Sequence, residues 1–294
     1  MKNLKQILKA REKLKERSPL IHAITNPIAI NMLANSILFL GAKAICAAHP
    51  EEVREITSIS SSLSVNLGNI TSERMKAIEL AASTANKKDI PLAIDMVGVG
   101  SSTLRYNFAK KLLDTNSFDL IKGNSSEIRA LALGESQAKG IDVGEADKIE
   151  KENIGKIAEE ARALAKKYKS TILITGKTDL IVGSDSYIIV DNGVENLSKI
   201  TGTGCMLTGI ISSFMAVEDP VSASVLGLLI LEITAEISDT DKLYTFFVNL
   251  MDEIGTIKDE DIIKAAKVKE IIFWKNFTLW QTLISITNTN FSKG

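Results

Sequence analysis

LAIDMVGVGSSTLRYNFAKKLLDTNSFDLIKGNSSEIRALAL, residues 92–133, decides the fold. It opens on a short apolar run from Leu92 to Ile94, which ends in Asp95 and the glycine turn Gly98-Val99-Gly100. A helical stretch follows around residues 104–113. Leu120-Ile121 then leads to Lys122-Gly123-Asn124 and to a second helix around residues 126–132. Short strands alternating with helices imply βαβ units and a mainly parallel sheet. In such sheets ligands sit beyond the carboxyl ends of the strands, which here are the loops at 95–100 and 122–124.

The same cadence continues on both sides. Upstream, residues 64–67 lead to Gly68-Asn69 and a helix over 72–86, and 44–47 form a short strand before Pro50-Glu51-Glu52 opens another helix. The acids there suit the positive end of the helix dipole. Leu20-Ile21 leads to the loop 22–27, and residues 28–40 read as a buried helix ended by Gly41. Apolar spacing at Leu4, Ile7, Leu8 and Leu14 predicts an amphipathic first helix. Downstream, 153–167 is helical and 171–174 leads to Thr175-Gly176, while 180–182 and 186–190 flank Gly183-Ser184-Asp185 as a hairpin. From residue 204 onward the pattern is mostly helical, and the polar stretch 134–152 reads as a surface insertion.

The 294 residues suffice for one large α/β domain with a sizeable core. A formal net charge of -1 gives no electrostatic case for nucleic acid or an anionic membrane. Cys46 and Cys205 lie far apart in sequence, which argues against a disulfide framework or a structural zinc site and for a reducing, cytoplasmic setting. Residues 1–17 are basic and helical but lack the apolar core of a signal peptide. The most apolar run, VLGLLILEI at 225–233, is too short to span a bilayer and is interrupted by Glu232, so a buried helix is expected.

Four segments carry chemistry. Thr201-Gly202-Thr203-Gly204-Cys205 precedes an apolar helical run, and a glycine turn at a helix N-terminus presents unpaired N–H groups to an anion. Asp95 at a strand end suits a magnesium ion or its water, although a lone Asp there is more often a cap. Lys122 suits phosphate oxygens and Glu127 a metal, with surface charge and an Asn or Ser cap as the plainer reading. The loop His22–Asn26 is followed by Asn31 and Asn35, which read as buried asparagines that hold structure. Singly, none of these decides a function.

Their order does. IHAITN (21–26), DMVGVG (95–100), KGNSSEI (122–128) and TGTGCML (201–207), at this spacing, resemble the hydroxyethylthiazole kinase family of the ribokinase-like superfamily, thiamine-salvage enzymes, over about residues 15–255. The resemblance implies a three-layer α/β/α fold with a mainly parallel sheet over residues 1–268, followed by an extension at 269–294. It implies ATP-dependent phosphorylation of the hydroxyl of 4-methyl-5-(2-hydroxyethyl)thiazole with Mg2+, and a homotrimer whose substrate site is shared between subunits. Position by position it makes Asn26, Cys46 and Gly202 substrate-binding, Lys122 and Thr175 ATP-binding, Asp95 and Glu127 the acidic pair near magnesium, and Cys205 the catalytic residue where most of the superfamily has aspartate.

The chain departs from the family pattern at Cys46, where methionine is usual, at Met96, where proline is usual, and at Lys122, where arginine is usual. Lysine there keeps the charge and loses the bidentate fork. The family's late glycine-proline segment is absent, and residues 242–246 occupy its place. In the extension, Phe273, Trp274, Phe277 and Trp280 form an aromatic stripe, expected as an extra helix or a subunit contact. The competing expectations are a kinase for a pyrimidine alcohol such as hydroxymethylpyrimidine, a cysteine-nucleophile transferase or hydrolase using Cys205 and His22, and a ligand-binding relative without catalysis.

Overall fold

The computed structural model describes residues 2–133 and 153–273. Among the described residues nine strands make one sheet in the order β2-β1-β3-β4-β5-β6-β7-β8-β9. These are β1 (Leu20–Ile24), β2 (Lys43–Ile45), β3 (Ser62–Asn66), β4 (Leu92–Asp95), β5 (Leu120–Asn124), β6 (Thr171–Thr175), β7 (Asp179–Val182), β8 (Ser186–Val190) and β9 (Val268–Ile272). Strands β1–β6 pair in parallel and β6–β9 pair antiparallel, so the expected hairpin is β7–β8.

Helices cover both faces. On one lie α1 (Leu4–Arg17), α2 (Ile30–Phe39), α9 (Thr203–Met215), α10 (Pro220–Ser238), α11 (Leu243–Thr256) and α12 (Asp259–Ala265). On the other lie α3 (Val53–Ser58), α4 (Ser72–Lys87), α5 (Thr103–Thr115), α6 (Ser125–Leu133) and α7 (Ile154–Tyr168). A short α8 (Asn196–Lys199) precedes α9. The strands therefore divide their side chains between two apolar clusters. Ile21, Ala23, Ala93 and Leu120 face the first, and Leu63, Val65, Ile94 and Ile121 face the second. This is the three-layer architecture expected.

One detail of that division positions the site. The face of β3 toward α9 carries Ser62, Ser64 and Asn66, and β1 and β4 offer Ala23 and Ala93. Such small side chains let α9 lie close to the sheet, and Ser62 Oγ donates to Ser212 O of α9 at 2.7 Å. The helices of this layer approach each other as closely. A Cβ added at Gly209 of α9 would lie 2.7 Å from Leu33 Cγ, and one at Gly227 of α10 would lie 2.5 Å from Ile211 Cγ1.

The apolar run at 225–233 lies within α10. Among the described residues α10 alone is long and apolar enough to cross a membrane, but 83% of that stretch is buried in the fold. The stretch after 204 is mostly helical, as expected, and also carries residues 268–272 as β9, an edge strand paired with β8. One expectation is corrected. Asn31 and Asn35 are not buried but bond each other along α2, Asn35 Nδ2 donating to Asn31 Oδ1 at 3.1 Å. Phe273 ends the described chain against Tyr187, with the Arg162 guanidinium over its ring. The rest of the aromatic stripe, and the insertion at 134–152, lie outside the described residues.

Gly227→Ala tests the close approach. Alanine gains about 1 kcal/mol in helix propensity, and overpacking against Ile211 costs about 1–3 kcal/mol. A lower urea midpoint is expected, and a higher one would mean that α9 and α10 stand further apart than described.

Candidate active site

Register brings the candidate residues into line. Asn66 pairs across to Asp95, Asp95 to Lys122, and Asn124 to Thr175, each at or near the carboxyl end of its strand. The alternation of a strand puts Asn66, Asp95, Lys122 and Thr175 on the same face, the one covered by α9. Gly202, at φ +98°, ends the loop before that helix. A Cβ on Gly202 would lie 3.1 Å from Met32 Sδ, so glycine lets the turn press against α2. Thr203 Oγ1 donates to Leu197 O at 2.9 Å and fixes the same turn. The first N–H groups of α9 have no intrahelical acceptor. Lys122 Nζ is close enough that a Cβ on Gly204 would lie 3.6 Å from it.

Asp95 is fully buried, and its carboxylate is held from three sides. Lys122 Nζ donates to Oδ1 at 3.1 Å, while Asn66 Nδ2 and Thr208 Oγ1 donate to Oδ2 at 3.0 and 3.1 Å. Burial works against the Lys122 charge, but Asp95, Cys205 and Glu127 outweigh it and raise its pKa. Cys205 Sγ lies within 3.1 Å of Asn26 Nδ2 and 3.3 Å of Asn66 Nδ2. Asn66 Oδ1 in turn accepts from Gly68 N at 2.8 Å and from Asn26 Nδ2 at 3.3 Å. The fully used amide of Asn66 thus joins the loop that carries Asn26, the thiol and the acid. Burial pushes the Cys205 thiol up, and the Asp95 charge adds to this against Lys122 and the two amides.

Glu127 closes a capping box on α6. Asn124 Oδ1 accepts from Glu127 N at 2.9 Å, and Glu127 Oε2 accepts from Asn124 N at 2.7 Å. Glu127 Oε1 also accepts from Gly98 N at 2.8 Å, which ties the 95–100 turn to β5–α6. The plainer reading of this segment as a cap is therefore correct, and it does not exhaust the residue. Burial raises the Glu127 pKa and Asp95 raises it further, so this corner gains from added positive charge. Each Glu127 carboxylate oxygen accepts one bond, as does Asp95 Oδ1, and keeps a free lone pair, and hard oxygens of this kind suit magnesium. Ser125 Oγ and Thr25 Oγ1, at the same edge, are buried without a partner. Buried hydroxyls in that state fit a polar ligand.

Thr175 ends β6 half-buried, and the next turn is held by Asp179 Oδ1 accepting from Gly176 N at 3.0 Å. Cys46 follows β2, half-buried, its thiol pushed up by burial. The cysteine–histidine pair is not formed. His22 turns to the opposite face, where its ring nitrogens meet Thr57 Oγ1 and Ala47 O, each at 2.9 Å. Asn66 and Thr208 are the residues that sequence reasoning left without a role; their only signal was a polar residue at a strand end and another a helical turn after Cys205.

Residues 11–260 match the Hydroxyethylthiazole kinase family. The chain is 45% identical over 262 residues to Hydroxyethylthiazole kinase 2 of Clostridium botulinum (strain Hall), a match covering 89% of this chain and 99% of that one. It superposes with a TM-score of 0.81 on the hydroxyethylthiazole kinase protein of Pyrococcus horikoshii OT3, at 30% identity, over 91% and 99% of the two chains. A ribokinase-like superfamily protein of Enterococcus faecalis V583 shares the fold, with a TM-score of 0.57 at 15% identity over 86% and 89%. The ribokinase-like sheet, the acid–lysine–thiol constellation at its carboxyl edge and these likenesses agree, and the chain belongs to the hydroxyethylthiazole kinase family.

Proposed function

We propose that this chain transfers the γ-phosphoryl group of Mg-ATP to the hydroxyl of 4-methyl-5-(2-hydroxyethyl)thiazole, in thiamine salvage. One observation carries the reading: Lys122, the N-terminus of α9 and Cys205 converge where β4 and β5 end. Phosphoryl transfer asks mainly for positioning and neutralisation of charge. Lys122 and the first N–H groups of α9 supply fixed positive charge at the moving phosphoryl. Asp95 and Glu127 are the residues that would hold magnesium, which when bound neutralises the phosphate oxygens. Thr175 contacts the nucleotide, while Asn26, Cys46 and Gly202 line the alcohol side.

A helix N-terminus by itself lowers a thiol pKa, but at Cys205 burial and Asp95 outweigh that and raise it, so the thiol stays protonated near neutral pH. Cys205 then orients the alcohol and does not abstract its proton beforehand. A loose transition state tolerates this, because the proton leaves late.

The assembly we propose is a homotrimer with the alcohol site shared between subunits. Supporting it, Ile28, just after the substrate loop, is 60% exposed, and Leu38 and Phe39 of α2 are exposed too. The two cysteines are free, which suits a reducing cytoplasm.

The assay is ATP consumption with the thiazole alcohol and with hydroxymethylpyrimidine. Faster turnover of the thiazole is expected; faster turnover of the pyrimidine would reassign the substrate, and full activity in EDTA would remove magnesium. Cys205→Ser should slow turnover without abolishing it, Cys205→Asp should remain active, and His22→Gln should leave kcat unchanged. Intact mass after mixing with ATP should show no added phosphate; a phosphocysteine, or a His22→Gln loss as large as that from removing Cys205, would restore the nucleophile mechanism. Light scattering should give a trimer, and a fully active monomer would contradict the shared site.

A further inference from the structure

Glu232 is the charge that interrupts the apolar run of α10. It is 4% exposed, and its Oε2 receives no hydrogen-bond donor. Its side chain lies within hydrogen-bonding reach of Asp179, itself buried at the start of β7. Two ionised carboxylates do not share a hydrogen bond, so one of them carries a proton. Burial raises the Asp179 pKa as well, but the Gly176 N–H from which it accepts and the nearby Lys122 charge act against that rise, and Glu232 has neither. The groups facing Glu232 are acidic: Asp179, Glu236 one turn along α10, and Asp191 just beyond β8. Lys267 is engaged by Glu236 at 3.1 Å. The Gly193 backbone closes over the pair, where a Cβ would lie 3.4 Å from Glu232 Cγ. The proton therefore rests on Glu232.

We infer that protonated Glu232 and ionised Asp179 form an acid–carboxylate pair that holds the turn after Thr175 in the conformation that receives the nucleotide. Both are positioning residues. Only three residues, 176–178, separate β6 from β7, and Asp179 reaches back across them to the Gly176 N–H. Without the Glu232 proton, Asp179 loses a donor in a place where water does not replace it, and its hold on the turn weakens. This inference rests on the reading of Thr175 as an ATP-contacting residue.

Burial above all, with the Asp179 charge adding to it, pushes Glu232 well above the ordinary carboxylate range. The sign follows from that rise. The protonated form is fully present below the ordinary carboxyl value and is lost as pH climbs through the raised one.

The test is steady-state kinetics of the full-length protein with ATP and the alcohol varied separately, beside thermal unfolding. Glu232→Leu should raise the KM for ATP about tenfold and leave the KM for the alcohol unchanged. Glu232→Gln, whose amide N–H stands in for the acid proton, should stay within about twofold of wild type. The wild-type KM for ATP should rise at alkaline pH by more than that of Glu232→Gln; Lys122 titrates in both and cancels. Thr175→Val separates the two readings. If it raises the KM for ATP and a folded Glu232→Leu does not, the pair is overturned and the nucleotide turn stands. If neither variant moves that KM, both fall. Should Glu232→Leu fail to fold, superimposable pH profiles of wild type and Glu232→Gln overturn the pair.

Discussion

The ion pair between Asp95 and Lys122 is the interaction around which the rest of this structure is arranged. Both groups are almost wholly removed from water, with Nζ and Oδ1 3.1 Å apart. Taking two charges out of water costs several kcal/mol each, and attraction alone offsets this only when the remaining lone pairs are also satisfied. Asn66 and Thr208 do that for Asp95. The pair, in exchange, fixes a lysine ammonium beside the N-terminus of α9, where its charge and the helix N–H groups act on the same small volume. A flexible lysine on the surface would have to be ordered during the reaction; this one is ordered by the fold.

That arrangement depends on features of the sequence that carry no charge. The small faces of β1, β3 and β4 allow α9 to lie against the sheet, and the Gly209 and Gly227 contacts keep α2, α9 and α10 in one tight layer. Gly202 then turns the chain so that Cys205 meets the two amides. Core packing and the site are thus one problem. A change that pushed α9 away from β3 would move the thiol and the first N–H groups of α9 together.

The βα cadence of residues 92–133 was legible because both its periods are local: an apolar strand, a polar loop and a helix each show within about ten residues. Asp95, Lys122 and Cys205 were legible as candidates for the same reason, each standing at the end of a strand or the start of a helix. What was not legible depends on register. Nothing local says that Asn66 and Asp95 are neighbours, since the pairing of β3 with β4 is set by packing on both faces of the sheet. The direction of the thiol pKa is not legible for a related reason: it is set by burial and by Asp95, which is 110 residues away in sequence. Strand β9 escaped notice because an edge strand with exposed Lys269 and Glu270 lacks an apolar run. Glu232 read only as a break in hydrophobicity, although the break is where the helix meets Asp179.

The account stands or falls on the coupling between Asp95 and Lys122, and a double-mutant cycle in urea unfolding measures it directly. Lys122→Met leaves a buried carboxylate without its cation, and Asp95→Asn leaves a buried ammonium without its anion. Each should cost about 3–5 kcal/mol. The double variant, which buries neither charge, should lose less than the sum of the two by about 2 kcal/mol. Losses that add to within about 0.5 kcal/mol would show that the two residues do not act as a pair.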